Sequence, residues 1–249
     1  MKKSLLRYIP NSLTSLNLLT GCISIVLAFE GHLIIASYLV LLSSIFDFLD
    51  GMTARLLNMY SELGKQLDSM ADMISFGLVP AILVFNFQKN NYLMNNGSFN
   101  LLELSFSELL LMFSPFIIAI FSGIRLAEFN IDKRQSNSFI GLPTPANAIF
   151  FASLIIISNI YPESFINTIT NNKLILLGVI IFFSFMLVAE FPMFSLKFKN
   201  LKFSENKIRY FFIGISVILL ISLHTVAIPI IILFYIILSA INNWFIKQK

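Results

Sequence analysis

The chain has 249 residues, 57% of them hydrophobic and only 12% charged, with 17 lysines and arginines against 13 aspartates and glutamates. A soluble domain carries roughly 25% charged residues, so this composition excludes a soluble globule. The formal net charge of +4 gives no reason to expect nucleic-acid binding, and the single cysteine, Cys22, excludes an intrachain disulfide and a cysteine-based metal cluster.

A helix needs about 20 apolar residues to cross the hydrocarbon core. The apolar runs fit that length almost end to end, which predicts an all-α integral membrane protein, a polytopic helical bundle of about eight transmembrane helices. The first run is Leu13 to Phe29, closed by Glu30–His32, and the second goes from Leu33 to about Asp50. The third begins near Asp68 and ends at Phe87; a polar loop over 88–100 leads to the fourth, about Leu109 to Ile124. Pro145 to Tyr161 is the fifth and Leu174 to Ala189 the sixth. The last, Tyr210 to Ile241, is too long for one crossing and divides near His224 and Pro229 into two short helices joined by a tight turn. The basic start reads as an uncleaved first span, since no small-x-small site follows it.

Lysines and arginines in short loops set orientation. Lys2, Lys3 and Arg7 precede the first run; Arg55 and Lys65 follow the second; Arg125, Lys133 and Arg134 flank the loop after the fourth. Lys197, Lys199, Lys202, Lys207 and Arg209 follow the sixth, and Lys247 and Lys249 end the chain, whereas the alternate loops hold only Lys89 and Lys173. Both termini are therefore expected on the cytoplasmic side.

Between the second and third runs stands DFLDGMTARLLNMYSELGKQLDSMAD, Asp47 to Asp72. Asp47 and Asp50 are three residues apart and Asp68 and Asp72 four, so each pair shares a helix face. Antiparallel helices bring the two faces together at one depth. An aspartate near the middle of a membrane helix costs about 2.5–3.5 kcal/mol, less near the interface, and the mutual repulsion of four adds to this. Glu62 falls in the connection, where water solvates it. Arg55 and Lys65 are too few to neutralise the cluster, and both can reach water. One or two divalent cations would offset it, since carboxylates are the hard ligands that Mg2+, Mn2+ or Ca2+ prefer.

Gly51 and Gly64 remove side chains beside this cluster, letting a bulky ligand approach the backbone, and Ala54 is small on a nearby face. Cations beside a small-residue surface and an arginine, Arg55, are what a diphosphate requires. The alternative is a solvated loop whose acids cap two helices. Asn11, Thr14 and Asn17 recur at helical spacing; they either reach the cavity from the first helix or are ordinary polar residues at its start. His32 and His224 are expected on the outer side, away from the acids.

These residues fill the pattern D-x-x-D-G-x-x-A-R-x8-G-x3-D-x3-D, with Asp47, Asp50, Gly51, Ala54, Arg55, Gly64, Asp68 and Asp72 at every fixed position. The chain thereby resembles the CDP-alcohol phosphatidyltransferase family. The stretches IPNSLTSLNLLTG, SMADMISFGLVPA, IRLAEFN, FIGLPTPANA and FPMFSLKFK look most like the bacterial and archaeal subgroup that forms phosphatidylserine. One position departs: Glu128 stands where RLARFN would carry arginine.

The nearly continuous apolar runs read as a single transmembrane domain over 1–249, with a C-terminal helix pair over about 208–243; the resemblance implies that it is catalytic and puts its motif-bearing core over about 10–200. It implies a Mg2+- or Mn2+-dependent enzyme, usually a homodimer, in the membrane of a bacterial or archaeal cell, with its site open to the cytoplasm. Asp47, Asp50 and Asp68 would be metal ligands, and Asp72 would help at a second metal and serve as general base. Asp50, Gly51, Ala54, Arg55, Gly64 and Asp68 would bind CDP-diacylglycerol. Arg125 and Asn130 are candidates for a serine or phosphate pocket; by position alone Arg125 reads equally as a snorkelling anchor. The implied reaction moves the phosphatidyl group of CDP-diacylglycerol to L-serine. Glycerol 3-phosphate or inositol as acceptor is the alternative. A cation transporter with intramembrane carboxylates is a distant third, because it leaves the glycine and arginine offsets unexplained.

Overall fold

A computed structural model describes residues 8–59, 61–132, 139–194 and 202–247. Lys2, Lys3, Arg7, Lys133, Arg134, Lys197, Lys199 and Lys249, used above for orientation, lie outside the described residues.

The first two helices, α1 (Tyr8–Phe29) and α2 (Leu33–Leu57), form an antiparallel hairpin turned at Gly31, whose φ of 86° suits glycine. Lipid offers no hydrophobic drive for helix association, so close contact relies on small and hydroxyl-bearing residues. Accordingly Gly21, Ser24 and Ala28 of α1 and Ala36, Ser37 and Ser43 of α2 are buried. The hydroxyl of Ser24 donates to the Ala36 carbonyl at 2.8 Å, and those of Thr20 and Ser43 meet at 2.6 Å.

Two helix boundaries differ from the hydropathy reading. α2 continues past Asp50 to Leu57, where Asn58 takes a left-handed φ of 51° and the chain closes with Met59 N–H on the Ala54 carbonyl at 3.0 Å. The next helix, α3 (Glu62–Asp72), starts well before Asp68 because Ser61 caps it, its hydroxyl oxygen accepting from Gly64 N–H at 3.0 Å. The acids therefore sit within continuous helix, and the connection is short. A six-residue π-helical turn, Met73–Leu78, carries α3 into α4 (Val79–Asn96).

Two bent pairs follow: α5 (Phe106–Phe113) with α6 (Phe116–Ile131), bent by 43°, and α7 (Thr144–Ile160) with α8 (Phe165–Asn171), bent by 111°. Next comes α9 (Lys173–Val188). The last two, α10 (Lys207–Leu223) and α11 (Ala227–Lys247), turn back on each other at His224–Val226, so that Phe212 stacks on Phe234 at 5.8 Å. Two short strands, β1 (Phe139–Ile140) and β2 (Pro192–Met193), pair antiparallel. The buried centre is α4 and α7, with Leu83, Phe151, Ile155 and Ile157 at 0–1% exposure.

By length and apolarity, four helical stretches among the described residues can cross a membrane: Tyr8–Phe29, Leu33–Leu57, Glu62–Asn96 and Lys207–Trp244. There are six if each bent pair is one span, and Lys173–Val188 is apolar but shorter. With side chains such as Ile218, Ile221 and Phe185 at 63–72% exposure, this is an integral membrane protein.

Candidate active site

The short α2–α3 connection brings the acid-bearing ends of these two helices to one end of the bundle, where α1 packs against both. One carboxylate oxygen each from Asp47, Asp50 and Asp68 lies within 4.8 Å of the others. Two oxygens on one Mg2+ or Ca2+ stand at most about 4–5 Å apart, twice the metal–oxygen distance, and the donors are all hard oxygens. The three aspartates therefore lie close enough for side-chain movements to bring them onto one divalent cation.

The remaining contacts come from α1. Thr14 donates its hydroxyl to Asp50 Oδ2 at 2.6 Å, and Asn17 donates its Nδ2 to Asp72 Oδ1 at 3.3 Å. Asn17 is held in turn, its carbonyl accepting from the Ser75 hydroxyl at 2.9 Å. Gly21 makes this possible: a Cβ there would collide with Ser75, so only glycine lets α1 approach the π-helical turn. Asp50 and Asp72 are 5% and 8% exposed, so these hydrogen bonds replace lost water. Of the two readings of Asn11, Thr14 and Asn17, the geometry selects the one in which they reach the site.

Beside the acids opens a cavity of about 210 Å3. Asp50, Gly51, Ala54, Arg55, Gly64 and Asp68 all line it, together with Asn11, Thr14, Ser61 and Lys65. The glycines leave room for different things. A Cβ on Gly64 would stand 2.9 Å from Asn11 Oδ1 and 3.0 Å from Ser61 Oγ, closing the floor of the cavity. At Gly51 the neighbour is the Arg55 guanidinium, 3.5 Å from where a Cβ would be, so Arg55 lies over bare backbone at the cavity edge. Lys65, which can reach water, donates to the Asn130 carbonyl at 3.0 Å.

Arg125 and Asn130 do not line this cavity and do different things. Asn130 donates to the Ser69 hydroxyl at 2.8 Å, so it ties the end of α6 to α3. Arg125 is 5% exposed; its Nε donates to the Leu142 carbonyl, and its guanidinium lies within electrostatic range of Asp72, Tyr235 and Glu128. A buried guanidinium held this way is not a snorkelling anchor. Sequence reasoning assigned nothing to Asn147, which is fully buried on α7 with neither side-chain amide atom paired among the described residues. An asparagine one turn into an otherwise apolar helix was the available signal.

A bundle of apolar helices with a carboxylate cluster and a small-residue cleft at one end is suited to a membrane enzyme with an anionic substrate. The sequence profile of the CDP-alcohol phosphatidyltransferase family matches residues 7–189, and the chain belongs to that family. It is 32% identical over 197 residues to a CDP-diacylglycerol–serine O-phosphatidyltransferase of Helicobacter pylori, covering 78% of this chain and 75% of the relative. Another protein of that name, from Methanocaldococcus jannaschii, is 33% identical over 61% of this chain and 63% of its own. An archaetidylserine synthase of Methanothermobacter thermautotrophicus is 33% identical over 58% and 56%. The family match ends before β2, α10 and α11.

Proposed function

We propose that this protein transfers the phosphatidyl group of CDP-diacylglycerol to the hydroxyl of L-serine, giving phosphatidylserine and CMP. The observation that carries the reading is the cavity in which Asp50, Gly51, Ala54, Arg55, Gly64 and Asp68 converge beside Asp47; the names of the relatives supply the acceptor.

The CMP half of the donor lies in the cavity that Gly51, Ala54 and Gly64 line, and Arg55 at its edge grips a phosphate. Asp47, Asp50 and Asp68 would hold a divalent cation, Mg2+ or Mn2+, with Asp72 at a second, and such a cation would supply positive charge to the diphosphate. Asp72 takes the proton of the serine hydroxyl, its orientation fixed by the Asn17 amide. The serine oxygen attacks the phosphorus bearing diacylglycerol, the bond to the CMP oxygen breaks, and CMP leaves with that electron pair. Arg125 binds the serine carboxylate. It is the one basic residue buried among the described residues, whereas an acceptor that carries phosphate would call for more.

In this reading the whole chain is one catalytic domain with about eight crossings. The α10–α11 hairpin counts as two of these and α9 as one, and termini and site face the cytoplasm. The working form is a homodimer.

Gly64→Leu is expected to raise the KM for CDP-diacylglycerol by about tenfold or more, because the side chain meets Asn11 and Ser61 and fills the cavity floor. The serine KM should stay within about twofold; steady-state kinetics in detergent reads both. The reading as a whole is tested by CMP release from CDP-diacylglycerol with Mg2+ or Mn2+ and, separately, serine, glycerol 3-phosphate or inositol. Release with serine alone supports it. Release with another acceptor keeps the site and overturns the serine assignment.

A further inference from the structure

The C-terminal helix pair lies outside the family match, yet α11 is tied to the segment that holds Arg125. Leu142, whose carbonyl accepts from Arg125 Nε, follows directly on β1 and Gly141. This turn is tightly fixed: Gly141 N–H donates to the Phe191 carbonyl at 2.9 Å and Leu142 N–H to the Met186 carbonyl at 2.8 Å. Gly141 has φ 77°, and the Leu187 carbonyl occupies the place of a Cβ, so no other residue fits. The partner strand β2 is short and depends on what lies behind it. There α11 supplies two side-chain hydrogen bonds. Tyr235 donates its hydroxyl to the Phe194 carbonyl at 2.8 Å, and Asn243 donates its amide to the Pro192 carbonyl. The Phe194 ring stands edge-on to Tyr235 at 4.9 Å and to Phe212 at 5.7 Å, which binds the strand end to both helices of the hairpin.

Arg125 has reason to be held this firmly. Its side chain is 5% exposed, and Nε is its only nitrogen with a hydrogen-bond partner among the described residues. The two terminal nitrogens are left for a ligand, and a guanidinium with its Nε fixed presents them as a fork suited to a carboxylate.

We infer that Tyr235 is a positioning residue for the acceptor site, fixing Arg125 from two sides: through Phe194, the β1–β2 pair and the Leu142 carbonyl, and directly, since its phenol lies within electrostatic range of the guanidinium. The inference rests on the reading of Arg125 as the group that binds the serine carboxylate. It makes acceptor affinity depend on a helix the family match does not include. Donor affinity is independent of that helix, because the donor cavity is built from residues 10–68 alone.

The test uses the full chain, purified in detergent, with Tyr235→Phe and, at the surface, Asn243→Ala. Both KM values and the unfolding temperature are measured. Tyr235→Phe keeps the ring contacts and loses one hydrogen bond, so the serine KM should rise roughly fivefold. The CDP-diacylglycerol KM and the unfolding temperature should not move, and Asn243→Ala should show a smaller rise of the same kind. In an Arg125→Lys background the Tyr235→Phe effect should shrink below about twofold, since the route ends at Arg125. An unchanged serine KM, an equal rise in both KM values, or full additivity with Arg125→Lys would overturn the inference. If the wild type gives no serine-dependent CMP release, the acceptor reading beneath it fails instead, so the two failures are distinct.

Discussion

Asp50→Asn is expected to lower the rate of CMP release about a thousandfold while leaving the protein at least as resistant to heat. The loss follows from electrostatics. Asp50 is one of three aspartates whose oxygens converge within 4.8 Å, and removing one charge weakens a site worth several kcal/mol to a diphosphate in its transition state. The fold should not suffer, because the amide oxygen of an asparagine can still accept the Thr14 hydroxyl that now donates to Asp50 Oδ2. The neutral side chain also relieves repulsion among neighbouring carboxylates. The unfolding temperature in cation-free buffer should therefore equal or exceed that of the wild type. Excess Mg2+ should restore part of the rate. A variant that keeps more than about a tenth of wild-type activity at ordinary Mg2+ would mean the cluster is structural.

Asp72→Asn should cost about 10²–10⁴-fold, and the defect should differ in kind. Asp72 is buried one helical turn beyond Asp68, held by Asn17 and away from the donor cavity lining. Losing it removes the proton acceptor for the attacking hydroxyl and leaves the surfaces that bind CDP-diacylglycerol intact. Its KM should stay within about twofold while kcat falls. Excess Mg2+ offsets only whatever Asp72 contributes at a second cation, so most of the defect persists. Full rescue by added cation, or a large rise in donor KM, would reassign Asp72 from base to ligand.

The carboxylate cluster was legible because helix periodicity alone puts Asp47 with Asp50 and Asp68 with Asp72, and any hairpin then brings the pairs together. The helix ends were less so. Hydropathy stops at the first acid, whereas α2 runs on to a left-handed Asn58 and α3 begins at a Ser61 cap, both hidden in a polar connection. Thr14 and Asn17 stayed ambiguous because their roles depend on how closely α1 approaches the π-helical turn at Ser75, and one glycine, Gly21, decides that. The setting of Arg125 was out of reach. Its acceptor is a carbonyl 17 residues on, steadied by strands of two residues each, too short for an alternating pattern. A buried Asn147 whose amide has no partner among the described residues leaves no mark in a sequence beyond its polarity.

If a divalent cation held by Asp47, Asp50 and Asp68 drives phosphatidyl transfer, activity must come and go with that cation. The most direct measurement is CMP release from CDP-diacylglycerol and serine by chelator-stripped protein, before and after Mg2+ or Mn2+ is returned. No release before addition and a restored rate after it is the result predicted here. A full rate from stripped protein would contradict the claim.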